Sequence, residues 1–144
     1  MNHAMRCGIA AIALTVSVIT AHAASETMTY KADLKGASEV PANTVKGTGE
    51  VTATYDPATK MLSWKGSYSA LTGPVTAAHF HGPAEPGKNA GVLVPAPATT
   101  SPFMGSAQLD DAKATDLASG KVYFNVHTAA NPNGEVRGQL EKAK

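Results

Sequence analysis

Three histidines are the side chains of this sequence whose type and spacing could do chemistry. His79 and His81 stand two residues apart in "AAHFHGPAEPG" (77–87), and His127 lies far downstream in "VYFNVHT" (122–128). On a β-strand, residues i and i+2 point to the same face roughly 6.5–7 Å apart, so two imidazoles at this spacing can bind one ion at about 2 Å. A third imidazole from another strand completes a three-nitrogen site. The sequence therefore predicts that His79, His81 and His127 converge on one metal ion.

Copper is the metal that this ligand set favours. Three imidazoles suit copper or zinc, and with equal ligands the Irving–Williams order favours copper(II). The only cysteine, Cys7, lies in a segment expected to be removed, which excludes a blue-copper site. Met104 could act as a soft fourth ligand, although a methionine in "SPFMGSA" (101–107) is expected in the core. One alternative stays open: the histidines are structural, in a protein-binding or structural domain that holds no metal.

The first 23 residues have the pattern of a secretory signal peptide. A start carrying Arg6 precedes a mostly apolar run (8–20), which ends at Ala21-His22-Ala23. The run is shorter than the roughly 20 residues that span a bilayer. We expect cleavage after Ala23, a periplasmic or secreted protein, no membrane anchor after cleavage, and one domain over residues 24–144.

The charges of the mature chain balance. All 11 acidic residues lie after residue 23, and the 12 basic residues less Arg6 leave 11. A net charge near zero gives no attraction to nucleic acid, which is not expected as a partner. The sequence contains no GxSxG, HExxH or paired-carboxylate motif, so it predicts no hydrolase and no defined enzymatic reaction. A metal ion and an unidentified protein remain the expected partners.

Alternating β-branched and aromatic residues predict an all-β chain with about seven or eight antiparallel strands, in a sandwich or barrel. Turns are expected at "DPATK" (56–60) and "NPNG" (131–134). Trp64 and Phe124 are predicted to be buried. The predicted strands are 27–34, 49–56, 61–70, 75–82, 121–128 and 134–141, with weaker ones at 91–94 and 102–109.

Two segments depart from the strand pattern. Residues 110–120 predict a helix of a turn or two that Gly120 ends. Segment 82–102 carries five prolines and three glycines and begins directly after His81. A connection of this length in a small domain is either a surface crossover or a functional cover. Because His81 and His127 each lie at a strand end, we expect the two ends to meet at one rim beneath this segment.

The stretches "AAHFHGPA" (77–84) and "VYFNVHTAANPNGEVRGQL" (122–140) resemble the two signature stretches of the CHRD domain. This module is named from chordin and also occurs singly in secreted bacterial proteins. "LKGASEVPA" (34–42) resembles its opening, and the likeness spans residues 27–141. The second stretch is the more specific, with these residues in order: Asn125, His127, Pro132, Gly134, Glu135, Arg137 and Gly138.

The resemblance implies an immunoglobulin-like β-barrel with limited similarity to copper/zinc superoxide dismutase. Those enzymes also carry an H-x-H pair and a distant histidine. This sequence lacks their bridging histidine, zinc cluster and disulfide, which argues against a two-metal dismutase. For Arg137 two readings follow: it guides an anion toward a metal, or it forms an ion pair with Glu39 or another carboxylate that ties down the last hairpin. The ion pair is the expectation.

Overall fold

A computed structural model describes residues 26–144 of the chain. The predicted signal peptide, residues 1–23, lies outside the described residues. Within them, no helix is long and apolar enough to cross a membrane. The strands are β1 (Met28–Lys35), β2 (Thr48–Asp56), β3 (Met61–Ser69), β4 (Val75–His81), β5 (Val92–Pro95), β6 (Phe103–Gln108), β7 (Tyr123–Thr128), β8 (Val136–Gln139) and β9 (Glu141–Lys142). A 3₁₀ turn (Gly36–Ser38) follows β1, and one helix, α1 (Asp111–Ala118), precedes β7.

The strands form one antiparallel sheet in the order β5-β4-β7-β8-β1-β2-β3-β6, and β9 pairs with β1. The predicted all-β antiparallel class is confirmed. The described residues hold nine strands because the segment expected as one strand at 134–141 is divided at Leu140, which donates its amide hydrogen to the carbonyl of Val122.

Aromatic contacts show that the sheet curls over its own inner face. Trp64 on β3 meets Phe80 on β4 edge to face, with ring centroids 5.0 Å apart, although several strands separate them in the sheet. Phe103 on β6 stacks on Phe124 of β7 at 5.5 Å. The result is a nearly closed barrel, and Trp64 and Phe124 lie in its core as predicted.

Local turn chemistry follows the sequence. The Asp56 carboxylate accepts hydrogen bonds from the Ala58 amide and the Thr59 hydroxyl, which closes the β2–β3 hairpin. Asp110 caps α1 by accepting from the Lys113 amide at 2.9 Å. Gly120 adopts φ +71° after the helix, as a C-terminal glycine does.

Candidate metal centre

The three histidines lie on β4 and β7, which are hydrogen-bonded neighbours. In the antiparallel register His79 faces Asn125, and His127 faces Ala77. His127 is therefore the diagonal neighbour of His79, at a distance that long side chains can bridge. Because side chains alternate along a strand, the histidines point away from Phe80 and lie on the outer face of the barrel.

The expectation that the two strand ends meet at one rim is wrong. His81 ends β4 beside Tyr123, which begins β7, whereas His127 lies near the other edge, beside Ala77. Antiparallel neighbours put their like ends at opposite edges of a sheet. The histidines converge because a diagonal across the outer face connects them.

The separations within the cluster are those that a single ion requires. His79 Nδ1 lies 3.2 Å from His127 Nε2. Two nitrogens bound to one tetrahedral ion at about 2 Å are about 3.3 Å apart. One nitrogen from each of the three histidines lies within 4.8 Å of the others. A pair at that limit closes onto an ion with a movement of less than about 1 Å, so the cluster could hold a metal.

Backbone carbonyls set the orientation of two of the imidazoles. His81 Nδ1 lies 3.1 Å from the carbonyl oxygen of Ala90, and His127 Nδ1 lies 3.0 Å from that of Pro132. A carbonyl oxygen only accepts, so both rings carry their proton on Nδ1 and present the Nε2 lone pair to the cluster. Metal-binding histidines are commonly oriented in this way.

The Nε2 atom of His81 is a buried nitrogen whose hydrogen-bonding capacity is unsatisfied. It is buried and has no hydrogen-bond partner among the described residues. Buried polar atoms are rarely left without a partner, and a cation at the centre of the cluster would satisfy this one.

Burial also favours the neutral form of two of the imidazoles, those of His79 and His81. Desolvation lowers the pKa of His79, and the neighbouring His127 lowers it further. Desolvation is likewise the largest cause of the lowered pKa of His81, against which its hydrogen bond to Ala90 acts. Neutral imidazoles are the form that binds metals.

Two loops bury the site from outside. Ala90 belongs to segment 82–102, and Pro132 belongs to the turn between β7 and β8. His81 and His127 are 8% and 9% exposed, whereas His79 is only half-buried. Solvent therefore reaches the cluster from the side of His79.

A second buried polar group lies beside the histidines on the outer face. Glu39 reaches over β7, where its Oε2 accepts a hydrogen bond from Asn125 Nδ2 at 3.4 Å. Its other oxygen and Asn125 Oδ1 are buried without partners. Burial raises the pKa of Glu39 to about 7, although Arg137 and Asn125 act to lower it. Protonation makes the Glu39 carboxyl a hydrogen-bond donor as well as an acceptor.

This raised pKa predicts a pH-dependent loss of stability that Glu39→Gln removes. Below pH 4.5 the carboxyl is neutral in both folded and unfolded chains, whereas between 4.5 and about 7 only the folded protein retains the proton. The free energy of unfolding contributed by Glu39 therefore falls as the pH rises through this window, by at most about 3 kcal/mol.

Urea denaturation of the metal-free wild type and of Glu39→Gln, from pH 4.5 to 8, measures this effect. The difference between the two cancels the titration of His79 and His81, which both proteins share. We expect the wild type to lose stability relative to the variant as the pH rises. A difference that is constant across this range would show that the pKa of Glu39 is not raised in the fold.

Glu135 is a buried carboxylate whose pKa is lowered, in contrast to that of Glu39. It accepts hydrogen bonds from the Thr72 amide and hydroxyl, the Thr128 hydroxyl and Asn131 Nδ2. Burial acts to raise the pKa of Glu135, but these hydrogen bonds outweigh it and lower the pKa. They tie the β7–β8 turn, which carries Pro132, to the β3–β4 connection.

The expected ion pair of Arg137 is wrong. No carboxylate oxygen among residues 26–144 lies within 4.0 Å of its guanidinium. Arg137 is buried and donates instead to the Asn89 side chain at 2.9 Å and to the Lys88 carbonyl. It therefore ties segment 82–102 to β8 through neutral acceptors.

The expectation for Met104 is also wrong. Its side chain is 77% exposed, and its neighbour Phe103 takes the inward position on β6. The pattern of the segment did not distinguish which of the two adjacent apolar residues faces the core. Met104 is exposed on β6, whereas the histidines lie on β4 and β7, so it does not belong to the histidine cluster.

Sequence reasoning missed the groups that orient the histidines. Tyr123 stacks on His81 with nearly parallel rings, 4.9 Å between centroids. It shares a strand face with His127, so alternation alone could have placed it beside the site. The carbonyls of Ala90 and Pro132 had no such signal, because a backbone oxygen is the same in every residue type.

The fold and the site together define a class: an all-β domain with a three-histidine cluster on its outer face. The model of the CHRD domain family matches residues 30–140, and the chain belongs to this family. No curated protein and no solved structure matches the chain.

Proposed function

We propose that this protein is an exported copper-binding protein that holds one copper ion through His79, His81 and His127. The observation that carries the proposal is the convergence of three imidazole nitrogens, one of them buried without a partner. The same three nitrogens also suit zinc, but copper(II) outranks zinc for equal ligands. Export rests on the predicted signal peptide and its cleavage after Ala23.

Titration of the purified metal-free protein with copper(II), followed by calorimetry, tests the proposal. We expect one copper ion per chain, bound more tightly than zinc(II) measured in the same way. The copper content of protein matured in its native compartment, with Ala24 as its N-terminus, checks the physiological metal. A stoichiometry of zero would contradict metal binding, and tighter binding of zinc would contradict copper.

Copper affinity should fall on acidification. Protons compete with the ion for the imidazoles, so affinity decreases once the pH drops below the histidine pKa values. Burial lowers the pKa values of His79 and His81 from the ordinary value of 6.5. Proton competition at these two ligands should therefore begin below pH 6.5 rather than at it. Calorimetric titrations between pH 5 and 8 measure it, and an affinity that is flat over this range would argue against histidine ligands.

One observation favours the alternative, a structural role without metal. His79 Nδ1 and His127 Nε2 are close enough to share a hydrogen bond at 3.2 Å, so these two rings can satisfy each other. Thermal unfolding separates the two functions. A metal ion that binds only the folded state stabilises it by about 2.7 kcal/mol when the concentration of free ion is 100 times the dissociation constant. Structural histidines predict a Tm that added copper does not raise.

A further inference from the structure

A stack of three planar groups lies on the outer face beside the candidate metal centre. The His81 imidazole lies parallel to the Tyr123 ring, at an angle of 5°. The Arg137 guanidinium carbon lies 3.4 Å from the centroid of the same ring. Because β7 lies between β4 and β8 in the sheet, the imidazole and the guanidinium approach Tyr123 from opposite sides.

The guanidinium is an unusual group to bury in this place. Arg137 is 2% exposed and has no carboxylate partner within 4.0 Å among the described residues. Desolvation lowers its pKa, while Tyr123 and Glu39 act to raise it. A buried cation without a close counter-ion is costly, so its contacts must supply the compensation. Those contacts are the face of Tyr123 and two acceptors in segment 82–102, Asn89 and Lys88.

The same short stretch of chain holds the orienting carbonyl of His81. The Tyr123 hydroxyl lies 3.2 Å from the Ala90 amide and 3.3 Å from the Ala90 carbonyl oxygen. That oxygen also accepts the proton of His81 Nδ1. Asn89, which Arg137 holds through its Oδ1, donates its Nδ2 to the carbonyl of Val40. Arg137 and Tyr123 thus hold residues 88–90 through four contacts. The bond of Asn89 to Val40 and that of the Lys88 amide to the Glu85 carbonyl add to them.

We infer that Arg137 is a positioning residue for the metal centre: through Tyr123 and residues 88–90 it holds the His81 ring with Nε2 aimed at His79 and His127. This inference rests on the proposed function for its purpose, but its geometry is a property of the metal-free protein. This role differs from both hypotheses drawn from the sequence, in which Arg137 guides an anion toward a metal or pairs with a carboxylate. A planar guanidinium can stack and donate in its own plane at once, which a lysine ammonium cannot.

The first test uses the metal-free protein and reads the His81 ring directly. Nitrogen-detected imidazole NMR reports which ring nitrogen carries the proton. In the wild type we expect His81 protonated on Nδ1 only. In Arg137→Met, which keeps a long apolar side chain, we expect His81 to show a mixture of tautomers. Residues 88 and 89 lose their contacts with Arg137, so the Ala90 carbonyl that follows them is held less firmly beside the ring. Arg137→Lys should not restore the single tautomer.

Gln139→Leu is the matched control. Gln139 lies two residues further along β8 and donates to the carbonyls of Ala84 and Gly120, so it holds segment 82–102 at another point. This variant should lose stability while keeping His81 protonated on Nδ1. If Arg137→Met fails to fold, Tyr123→Phe serves in its place, since it keeps the ring and removes only the hydroxyl that binds Ala90.

The second measurement is copper(II) affinity, with the visible and electron paramagnetic resonance spectra of the complex. Groups that orient a metal ligand typically change affinity 10–100-fold when removed. We expect a loss of this size, with an altered spectrum, in Arg137→Met and not in Gln139→Leu. A single Nδ1 tautomer that persists in folded Arg137→Met would overturn the inference, as would one that persists in Tyr123→Phe if Arg137→Met does not fold. A wild type that binds no copper would overturn the proposed function and leave the tautomer result standing.

Discussion

Replacement of any one of His79, His81 and His127 by alanine should lower copper(II) affinity by more than 100-fold. Removal of a group that merely orients a ligand costs about 10–100-fold, and removal of the ligand itself must cost more. The three nitrogens lie within 4.8 Å of one another, and no fourth histidine, cysteine or carboxylate joins them among the described residues. Within residues 26–144, a lost ligand therefore has no replacement in the cluster itself.

Competition with a chelator of known affinity measures each variant, and circular dichroism at the same concentration checks its fold. We expect the β-sheet spectrum to be retained, because the histidines lie on the outer face and the aromatic core lies on the inner one. His81 and His127 are buried, so these two variants should also lower the Tm more than His79→Ala does.

Met104→Ala is the control for an exposed sulfur ligand. Its side chain is 77% exposed and lies outside the cluster, so the variant should bind copper as the wild type does. Measurements must use protein that has not been refolded, because unfolded histidines bind copper without a site. Copper affinity that survives the loss of all three histidines would sink the proposed function.

The second large effect is expected in the core. Trp64→Ala should lower the free energy of unfolding by about 3–5 kcal/mol, the usual cost of deleting a large buried aromatic side chain. Trp64 is 4% exposed and packs against Phe80. Its cross-strand neighbours are Ala53 and Gly105, both small, so they cannot fill the cavity that the indole leaves.

Urea denaturation of the metal-free variants measures this effect. Gly105→Ala approaches the same contact from the other side: a Cβ at Gly105 would lie 2.6 Å from the indole, and such overpacking typically costs 1–3 kcal/mol. Met104→Ala, on the adjacent exposed position, should stay within about 0.5 kcal/mol of the wild type. An unchanged midpoint for Trp64→Ala would mean that the inward face of β3 has been assigned wrongly.

Trp64→Phe adds a finer comparison. The indole Nε1 is buried and has no hydrogen-bond partner among the described residues. Phenylalanine removes this unsatisfied donor while keeping most of the aromatic contact with Phe80. The variant should therefore lose less stability than Trp64→Ala.

Much of the architecture is determined by local sequence. Alternation with a period of two places His79 and His81 on one face and Phe80 on the other in any extended strand, whatever lies beside it. The same rule put Trp64 and Phe124 in the core, and both are buried. Local turn signals also set the hairpin at Asp56 and the end of α1 at Ala118, just before Gly120.

Tertiary structure alone decided which strands meet and in what register. His127 reaches His79 because β7 pairs with β4 with Asn125 opposite His79, and a shift of one residue would turn His127 into the core. Register is set by how whole faces pack together, so no single segment encodes it. For this reason the expectation that strand ends meet at one rim was wrong even though the convergence of the histidines was correct.

The environment of the site was equally beyond the reach of local pattern. The sequence predicts a carboxylate as the partner of Arg137. In the fold its acceptors are the Lys88 carbonyl and the Asn89 side-chain amide. Met104 reads as core, yet the alternation of β6 gives the inward position to Phe103. The sequence alone identifies the imidazoles and the spacing of His79 and His81. The carbonyls that orient the rings belong to loops, and these loops meet the strands only when the sheet closes.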